Sequence, residues 1–435
     1  MQKLAELLYG LDDLPPWPRN LIYGLQWALI FFPTLTIIST ISTTYLGFQS
    51  SDAVLFFQRM LLVTGGVMIL QTLWGHRYPL LDGPSSALLL SFVIIAPQGM
   101  AAIQGGMIVG GSFLLLLSLF GLMRHLEPLF TDNVIGVILI LIAITLLPYL
   151  GPMMIQERPG QVGDGVVFGI SLSVMAAIAL FSYWLSSFPK TISLLLGILF
   201  VTLLMGITGR TSFGEALQLP WFAFPASLFP GPPKFSLTVV VTFLVAYLAV
   251  IVNAIGSIYS VGEIVGKKGL GSRVNRGIGF TGLGGLAAGA CGVIGTVSFG
   301  FSPGVILVTR VGTRYAVTVC GVLLVALAFF QKILALFSAI PICVIGAAMI
   351  TGMAAQVGAG ISVLTRSGRT LEGRDFLIIG LPILLGGSVP FFPTHYFQSF
   401  PAELQALMKN GMVIGILTVL LLEHIILRSR PERNR

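Results

Sequence analysis

Charged residues are scarce in this sequence: Asp, Glu, Lys and Arg make up 9% of its 435 residues, whereas 55% are hydrophobic. A soluble globular chain carries about 25% charged residues, so this composition excludes a soluble domain and predicts a multi-pass membrane protein. The net charge of +8 comes from basic residues that lie singly or in pairs between apolar runs. Such a distribution is typical of membrane-flanking loops. We therefore expect membrane lipid, and no nucleic acid, among the partners.

Cysteine and histidine are also rare, with three and four residues. Cys291, Cys320 and Cys343 lie in apolar segments at spacings that fit no metal site, so we interpret them as small buried hydrophobic residues. No histidines have metal-ligand spacing, and no His/Asp/Glu or Ser/His/Asp arrangement lies at membrane depth. The sequence therefore predicts no metal, no cofactor and no enzyme. The first twenty residues have no basic segment leading into a short apolar core, so no cleaved signal peptide is expected.

Apolar runs predict an all-α polytopic membrane protein with fourteen spans, some of them shortened by Gly or Pro. The spans fall near residues 21–47, 54–74, 82–97, 102–123, 132–150, 165–187, 190–208, 236–262, 277–294, 298–310, 315–337, 339–358, 374–391 and 401–427. With a cytoplasmic N-terminus, the basic residues left on the outer side are Arg59, Arg158, Arg210, Lys234, Lys332 and Lys409. The other Lys and Arg residues lie inside, as membrane topology requires. We expect a plasma (inner) membrane protein with both termini in the cytoplasm.

The longest polar connection, roughly 209–235, is rich in proline and divides the chain into two sets of seven spans. An odd number of spans in each half predicts a 7+7 inverted repeat. The third span of the first half opens with Asp82-Gly-Pro-Ser-Ser-Ala87, and the third span of the second half contains the interrupted stretch 295–304. Paired interruptions at corresponding places indicate a ligand site at the membrane midplane. We expect half-helices to begin near Ser86 and Ser302.

Three stretches carry a resemblance to a known family. They are Leu25-Gln26-Trp27, then Asn253-Ala-Ile-Gly256-Ser with Glu263-Ile-Val-Gly-Lys267, and finally Gly300-Phe-Ser302 through Gly304 to Thr309-Arg310-Val311. Together they resemble the nucleobase–ascorbate transporter family, also called nucleobase:cation symporter-2, which includes uracil and xanthine permeases. The resemblance implies fourteen spans, short extended strands in spans three and ten, and a homodimer.

The resemblance also implies a core domain that moves against a gate domain. The core would comprise residues 1–125 (spans one to four) and 236–337 (spans eight to eleven). The gate would comprise residues 126–235 (spans five to seven and the extracytoplasmic linker) and 338–435 (spans twelve to fourteen and a basic cytoplasmic tail). Substrate would bind between spans three, eight and ten. The candidate binding residues are Gln26, Ser85, Ser86, Asn253, Ser257, Ser298, Phe299, Gly300, Phe301 and Ser302.

The sequence departs from the family at its binding carboxylates, because Asn253 and Phe301 stand where the family has Glu. Half-helix N-termini without a nearby carboxylate favour an anion or a ligand rich in acceptors. The Asn253 amide can still pair with a lactam. Phe299 and Phe301 could stack on a planar ring or pack against lipid or a neighbouring helix. Gly300 is expected to leave no room for a side chain beside the ligand.

Proton coupling requires a titratable group in the membrane, and Asp82 and Glu263 are the candidates. The alternatives for Asp82 are a helix cap or a salt bridge to Arg77. Glu263 lies near the inner surface and has an interfacial ion pair with Lys267 as its alternative. His76 is expected in a loop, and Glu423 with His424 is expected to anchor the last span at the surface.

Three functions remain open from the sequence. The leading one is a secondary active transporter that moves a nucleobase of the uracil or xanthine type, or a similar planar solute, by alternating access, with proton coupling unresolved. An organic or inorganic anion transporter, or a uniporter, on the same fold is the alternative. A non-transporting membrane receptor or scaffold is the third, and it leaves the paired interruptions unexplained.

Overall fold

The computed structural model describes residues 7–123, 127–156, 164–185, 192–211, 213–266, 269–300, 302–365, 370–400, 405 and 408–428. Phe301 lies outside this set, as do the side chains of Glu263 and of several other residues. The described part of the chain is mostly helical. Two short β-strands interrupt the helices where the sequence predicts extended segments.

Among the described residues of the first half there are eight helices and one strand. They are α1 (Trp17–Leu46), α2 (Ser50–Leu73), β1 (Asp82–Pro84), α3 (Ser86–Ile95), α4 (Met100–Leu119), α5 (Asp132–Leu150), α6 (Gly165–Trp184), α7 (Ser193–Ile207) and the short α8 (Gly214–Gln218). Single 3-10 turns follow α3 and α5 and precede α5.

The second half repeats the pattern of long helices around one strand. Its elements are α9 (Leu237–Val265), α10 (Leu270–Cys291), β2 (Thr296–Ser298), α11 (Ser302–Thr309), α12 (Arg314–Leu327), α13 (Gln331–Ser338), α14 (Ile342–Leu364), α15 (Gly373–Ser388), α16 (Thr394–Gln398) and α17 (Gly411–Leu421). A π-helical turn, Leu422–Ile426, continues α17.

Eight of the described helices are long and apolar enough to cross a membrane, and a ninth span arises if the bent pair α12 and α13 is counted as one. The bend between these two helices is 91°. Each of the fourteen predicted segments contains at least one described helix. However, several of these helices are too short or too polar to qualify as spans by themselves, so the count of fourteen stays a prediction.

Small residues let the helices around the strands approach backbone to backbone. A Cβ atom added at Gly111 of α4 would lie 2.6 Å from the backbone nitrogen of Leu286 in α10. A Cβ atom at Gly65 of α2 would lie 2.6 Å from the carbonyl oxygen of Gly321 in α12. In a membrane, where burial from water does not drive helix association, such close contacts supply much of the packing energy. They hold the helices that precede β1 and β2 in fixed positions.

The two strands pair with each other in the antiparallel sense, with Asp82 opposite Ser298, Gly83 opposite Val297 and Pro84 opposite Thr296. One further hydrogen bond closes each end of the pair. The Ser85 N–H donates to the Gly295 carbonyl at 2.9 Å, and the Phe299 N–H donates to the Leu81 carbonyl at 2.8 Å. A two-fold rotation that exchanges residues 81–85 with residues 295–299 maps each of these bonds onto the other. Irregular backbone is tolerated inside a membrane only when protein satisfies its polar groups, and the pairing does so here.

The segment that precedes α1 is fixed to the loop that follows α11. Tyr9 and Val311 form a parallel bridge, and the Leu8 N–H donates to the Arg310 carbonyl at 2.8 Å. The Thr313 hydroxyl donates to the Asp13 carbonyl at 2.6 Å. The N-terminal segment therefore holds the far end of the short helix α11.

Glu423 is buried, so its predicted role as a surface anchor is wrong. The Asn133 side-chain amide at the start of α5 donates to Glu423 at 3.1 Å and to Asp375 at 3.0 Å. The guanidinium of Arg374 lies 3.3 Å from the Glu423 carboxylate and partly compensates the negative charge of Glu423. These contacts tie together α5, α15 and the π-helical turn after α17. His424 is half-buried, and its Nε2 atom lies 2.9 Å from the Leu129 carbonyl oxygen.

Candidate functional site

The two faces of the strand pair have different surroundings. On one face, Gly83 lies against the buried ring of Phe31 in α1, and an added Cβ atom would be 2.1 Å from the ring atom Cζ. Only glycine fits at this position without displacing the ring. Phe31 in turn packs edge to face with Phe299, with 5.2 Å between ring centroids and an interplanar angle of 71°. Protein thus packs against one side of the Phe299 ring, in agreement with the packing alternative for this residue.

On the other face, Asp82 belongs to a buried chain of hydrogen bonds. Its Oδ2 atom lies 2.9 Å from Nε2 of His76, and its Oδ1 atom accepts the hydroxyl hydrogen of Ser298 at 2.6 Å. All three side chains are buried. The expected salt bridge from Asp82 to Arg77 is therefore wrong, because His76 is the partner. Sequence reasoning placed His76 in a loop and missed its role.

The tautomer of His76 follows from its second ring nitrogen. The backbone N–H of Tyr78 donates to His76 Nδ1 at 2.9 Å, so this nitrogen is an acceptor without a hydrogen. A neutral imidazole then carries its hydrogen on Nε2, which points at Asp82. His76 therefore donates to the Asp82 carboxylate as a neutral ring.

The loop that carries His76 is fixed from α10. The Arg273 guanidinium donates to the carbonyls of His76 and Arg77 at 3.0 and 2.8 Å, and its Cζ atom lies 4.6 Å from the centroid of the Tyr78 ring. Arg77 adopts a φ of 55°, which is unusual for a residue other than glycine, and its Nε atom donates to the Leu73 carbonyl. The side chain of Arg77 is thus held at the end of α2.

The α9 helix lines the strand crossing with Asn253 and Ser257, which are four residues apart and share one helix face. The Ser257 hydroxyl donates to the Ser298 carbonyl at 2.9 Å. Asn253 is half-buried, and within the described ranges its amide makes no side-chain hydrogen bond. The amide is therefore available as both a donor and an acceptor beside the crossing.

Protein atoms do not crowd Gly256 of α9 or Gly300 in the turn that leads into α11. A Cβ atom added at Gly256 would meet no heavy atom within 4 Å, and at Gly300 the nearest atom would be Ser257 Oγ at 3.5 Å. Protein atoms therefore leave room for a side chain at Gly300; whether a bound ligand would fill it stays a prediction. A separate cavity, lined by Gly121, Ile255, Asn275 and other residues, lies on the opposite side of α9 and does not belong to this site.

Two of the predicted serines, Ser85 and Ser302, form side-chain hydrogen bonds with backbone N–H groups. The Ser85 side chain caps α3 by accepting the Leu88 N–H, and Ser302 Oγ accepts the Leu81 N–H at 3.2 Å. Ser86 begins α3 and is buried. The half-helices therefore begin where the sequence predicts, at Ser86 and Ser302. Their N-termini flank the crossing and favour negative charge or acceptor atoms.

The remaining candidates are not brought to the strand pair by any described contact. Gln26 is half-buried on α1, and no hydrogen bond among the described residues joins it to the crossing. Glu263 lies on α9, but its side chain is outside the described set, and Phe301 lies outside it entirely. Within the described residues, no group of three or more His, Cys, Asp or Glu side chains could hold a metal ion. The site thus offers hydrogen bonds and helix ends for binding a small polar solute.

Comparisons with known proteins identify the family of the chain. Residues 18–395 match the xanthine and uracil permease model, which is described as a permease family. The uric acid permease PucJ of Bacillus subtilis is 28% identical over 86% of this chain and 85% of its own length. The uric acid transporter UacT of Escherichia coli is 26% identical over 93% of this chain and 85% of its own.

Solved structures share the fold at low identity. The transmembrane domain of the cyanobacterial bicarbonate transporter BicA has a TM-score of 0.58 and 14% identity, covering 95% of this chain and 98% of that one. The murine anion transporter Slc26a9 has a TM-score of 0.62 and 9% identity, covering 94% of this chain and 69% of that one. Because the family match spans most of the sequence, the chain belongs to the permease family of nucleobase–ascorbate transporters and is a multi-pass membrane transporter, not an enzyme.

Proposed function

We propose that this chain is a secondary active transporter that carries a nucleobase, of the uric acid, xanthine or uracil type, by alternating access. The observation that carries the proposal is the strand crossing beside α9, where Ser257 donates to the Ser298 carbonyl and Asn253 lies one turn earlier on the same helix face. The unpartnered Asn253 amide can donate to a ring carbonyl and accept from a ring N–H, which matches the lactam edge of an oxopurine or a pyrimidine. Relatives named as uric acid and xanthine permeases support this substrate class.

Alternating access would arise from movement of the core, residues 1–125 and 236–337, against the gate, residues 126–235 and 338–435. The symmetric bonds at the ends of the strand pair support the inverted repeat that this movement requires. Fourteen spans, cytoplasmic termini in an inner membrane and a homodimer belong to the same proposal. Proton coupling would use Asp82, which is buried at the crossing.

An anion transporter is the second candidate. It is favoured by the two helix N-termini at the crossing and by the fold shared with bicarbonate and anion transporters. A planar anion such as urate would satisfy both candidates. A small inorganic anion would satisfy only the second.

The test is substrate exchange in proteoliposomes that contain the purified protein. We expect labelled xanthine, uric acid or uracil to exchange against the same unlabelled base, and bicarbonate not to compete. Gly256→Leu would place a bulky side chain on α9 next to Ser257 and should abolish exchange, whereas Gly169→Leu is the matched control, because Gly169 on α6 also has no heavy atom within 4 Å of an added Cβ. Saturable bicarbonate uptake without any nucleobase exchange would refute the nucleobase proposal.

A further inference from the structure

The chain His76–Asp82–Ser298 points to a particular proton site. We infer that Asp82 takes up the transported proton, that His76 and Ser298 are positioning residues which hold its carboxylate, and that the charge of Asp82 controls the affinity of the neighbouring site for solutes rich in acceptor atoms. The inference rests on the proposed transport function and specifies how protons and solute are linked.

His76 is excluded as the proton carrier by its own hydrogen bonds. A second proton would have to bind at Nδ1, but this atom already accepts the Tyr78 N–H at 2.9 Å. Two N–H groups would then face each other in a buried site, at a cost comparable to that of an unsatisfied buried donor. The ring therefore stays neutral while Nε2–H continues to donate to Asp82.

Asp82 can accept the proton with little rearrangement. Its Oδ2 atom faces the His76 N–H, so the proton binds at Oδ1, which accepts the Ser298 hydroxyl in the ionised state. The new Asp82 O–H then donates to Ser298 Oγ, and the Ser298 hydroxyl hydrogen rotates away. One proton is bound and no covalent bond is otherwise made or broken.

The position of Asp82 links this proton to the solute site. Leu81, the preceding residue, donates its N–H to Ser302 at the first turn of α11, so the carboxylate lies close to the N-terminus of that helix. An ionised Asp82 offsets the positive end of α11, and protonation removes this opposing charge. A unit charge roughly 10 Å from a ligand, at an effective dielectric constant of about 20, changes affinity by about tenfold. Proton and acceptor-rich solute are therefore expected to bind together.

Few other charged groups oppose this assignment in the described part of the chain. The titratable groups on the elements that pack against the pair are Arg19, Tyr23 and Tyr45 on α1, Asp52 and Arg59 on α2, Tyr247 and Tyr259 on α9, and Arg273, Arg276 and Cys291 on α10, and the loop itself adds Arg77 and Tyr78. Asp52 and Arg59 lie near the opposite end of α2 from His76. Arg273 contacts backbone carbonyls of the His76 loop.

Infrared difference spectra of the purified protein, recorded between about pH 5 and 8, test the proton site directly. We expect a carboxylic acid C=O band that is absent from Asp82→Asn and present in His76→Gln, because the Gln amide can still donate to Asp82. Ser298→Ala removes the hydroxyl group that hydrogen-bonds to Oδ1 and should shift the frequency of the band. Persistence of the band in Asp82→Asn, or its loss in His76→Gln, would overturn the assignment.

Affinity measurements test the link to the solute. With uracil, which stays neutral over this pH range, the wild-type Kd should rise about tenfold as Asp82 ionises. Asp82→Asn mimics the protonated acid, since its amide can donate to Ser298 and accept from His76. It should hold the tight Kd at every pH and lose accumulation driven by a pH gradient. A wild-type pH dependence retained in Asp82→Asn would refute the link. If no nucleobase is exchanged, the proposed function fails, whereas the infrared experiment still decides which group takes the proton.

Discussion

Replacing Gly83 with alanine tests the geometry of the strand crossing most directly. The added Cβ atom would lie 2.1 Å from Cζ of Phe31, whereas carbon atoms in contact are about 3.5–4 Å apart. The ring must therefore move by more than 1 Å, or the strand pair must open by a similar distance. Phe31 is fully buried and packs on Phe299, so the displacement is passed on to the turn that leads into α11.

The cost of this substitution can be bounded from known overpacking effects. Inserting a methyl group into a packed interior destabilises a protein by about 1–3 kcal/mol. A clash with a rigid, buried aromatic ring belongs at the upper end, so we expect Gly83→Ala to cost about 3 kcal/mol. Phe31→Leu alone removes ring atoms and should cost about 1 kcal/mol or more. In the double variant the methyl group enters the space left by the ring, so the two costs should not add.

The assay is the rate of thermal inactivation of the detergent-solubilised protein, followed by loss of monodisperse protein after heating. Gly66→Ala is the matched control, because Gly66 lies on α2 with no heavy atom within 4 Å of an added Cβ. We expect the control to resemble wild type, Gly83→Ala to inactivate much faster, and Gly83→Ala with Phe31→Leu to recover by about 1–2 kcal/mol relative to additivity. Equal inactivation of Gly83→Ala and wild type, or strictly additive costs, would refute the reasoning.

Two further predictions concern contacts away from the crossing. Asn133→Ala leaves the buried carboxylates of Asp375 and Glu423 without a shared donor. The solubilised protein should therefore lose about 2 kcal/mol of stability, measured by the same inactivation assay. Unchanged stability would show that the contact contributes nothing. Tyr45→Phe removes the hydroxyl that donates to the Tyr149 carbonyl at 2.9 Å, a bond that joins the predicted core and gate at the C-terminal ends of α1 and α5. Loss of a hydrogen bond worth about 1 kcal/mol should shift the ratio of outward-open to inward-open states about fivefold. The shift would be measured as faster labelling of an engineered cysteine from outside. Unaltered labelling would contradict this role.

The positions of the ligand-site elements could be predicted because broken backbone is costly in a membrane. Gly, Pro and Ser clusters appear at Asp82–Ala87 and at residues 295–304, where apolar helices would otherwise continue. The strands and the helix starts at Ser86 and Ser302 lie within these clusters. Local chemistry was sufficient here, since each helix start needs a cap and each interruption needs a partner.

The partners of individual residues could not be predicted, because they depend on distances between segments far apart in the chain. Sequence spacing made Arg77 a natural partner for Asp82, but its backbone conformation and its bond to Leu73 hold it at the end of α2. His76 could have been found only from the rule that buried ionisable groups in membranes need a partner. Among 52 glycines, the sequence gives no sign that Gly83 is crowded while Gly300 has space beside it.

The pairing of β1 with β2 also bears on how the protein can be made. Residues 82–84 find their hydrogen-bond partners at residues 296–298, so more than half of the chain is synthesised before the first strand can be completed. Until then, the backbone N–H and C=O groups of β1 lack hydrogen-bond partners, because lipid cannot supply them. Neither half of the chain can therefore reach its final structure in the bilayer alone. The first half must wait beside the insertion machinery, or near water, until its counterpart is translated.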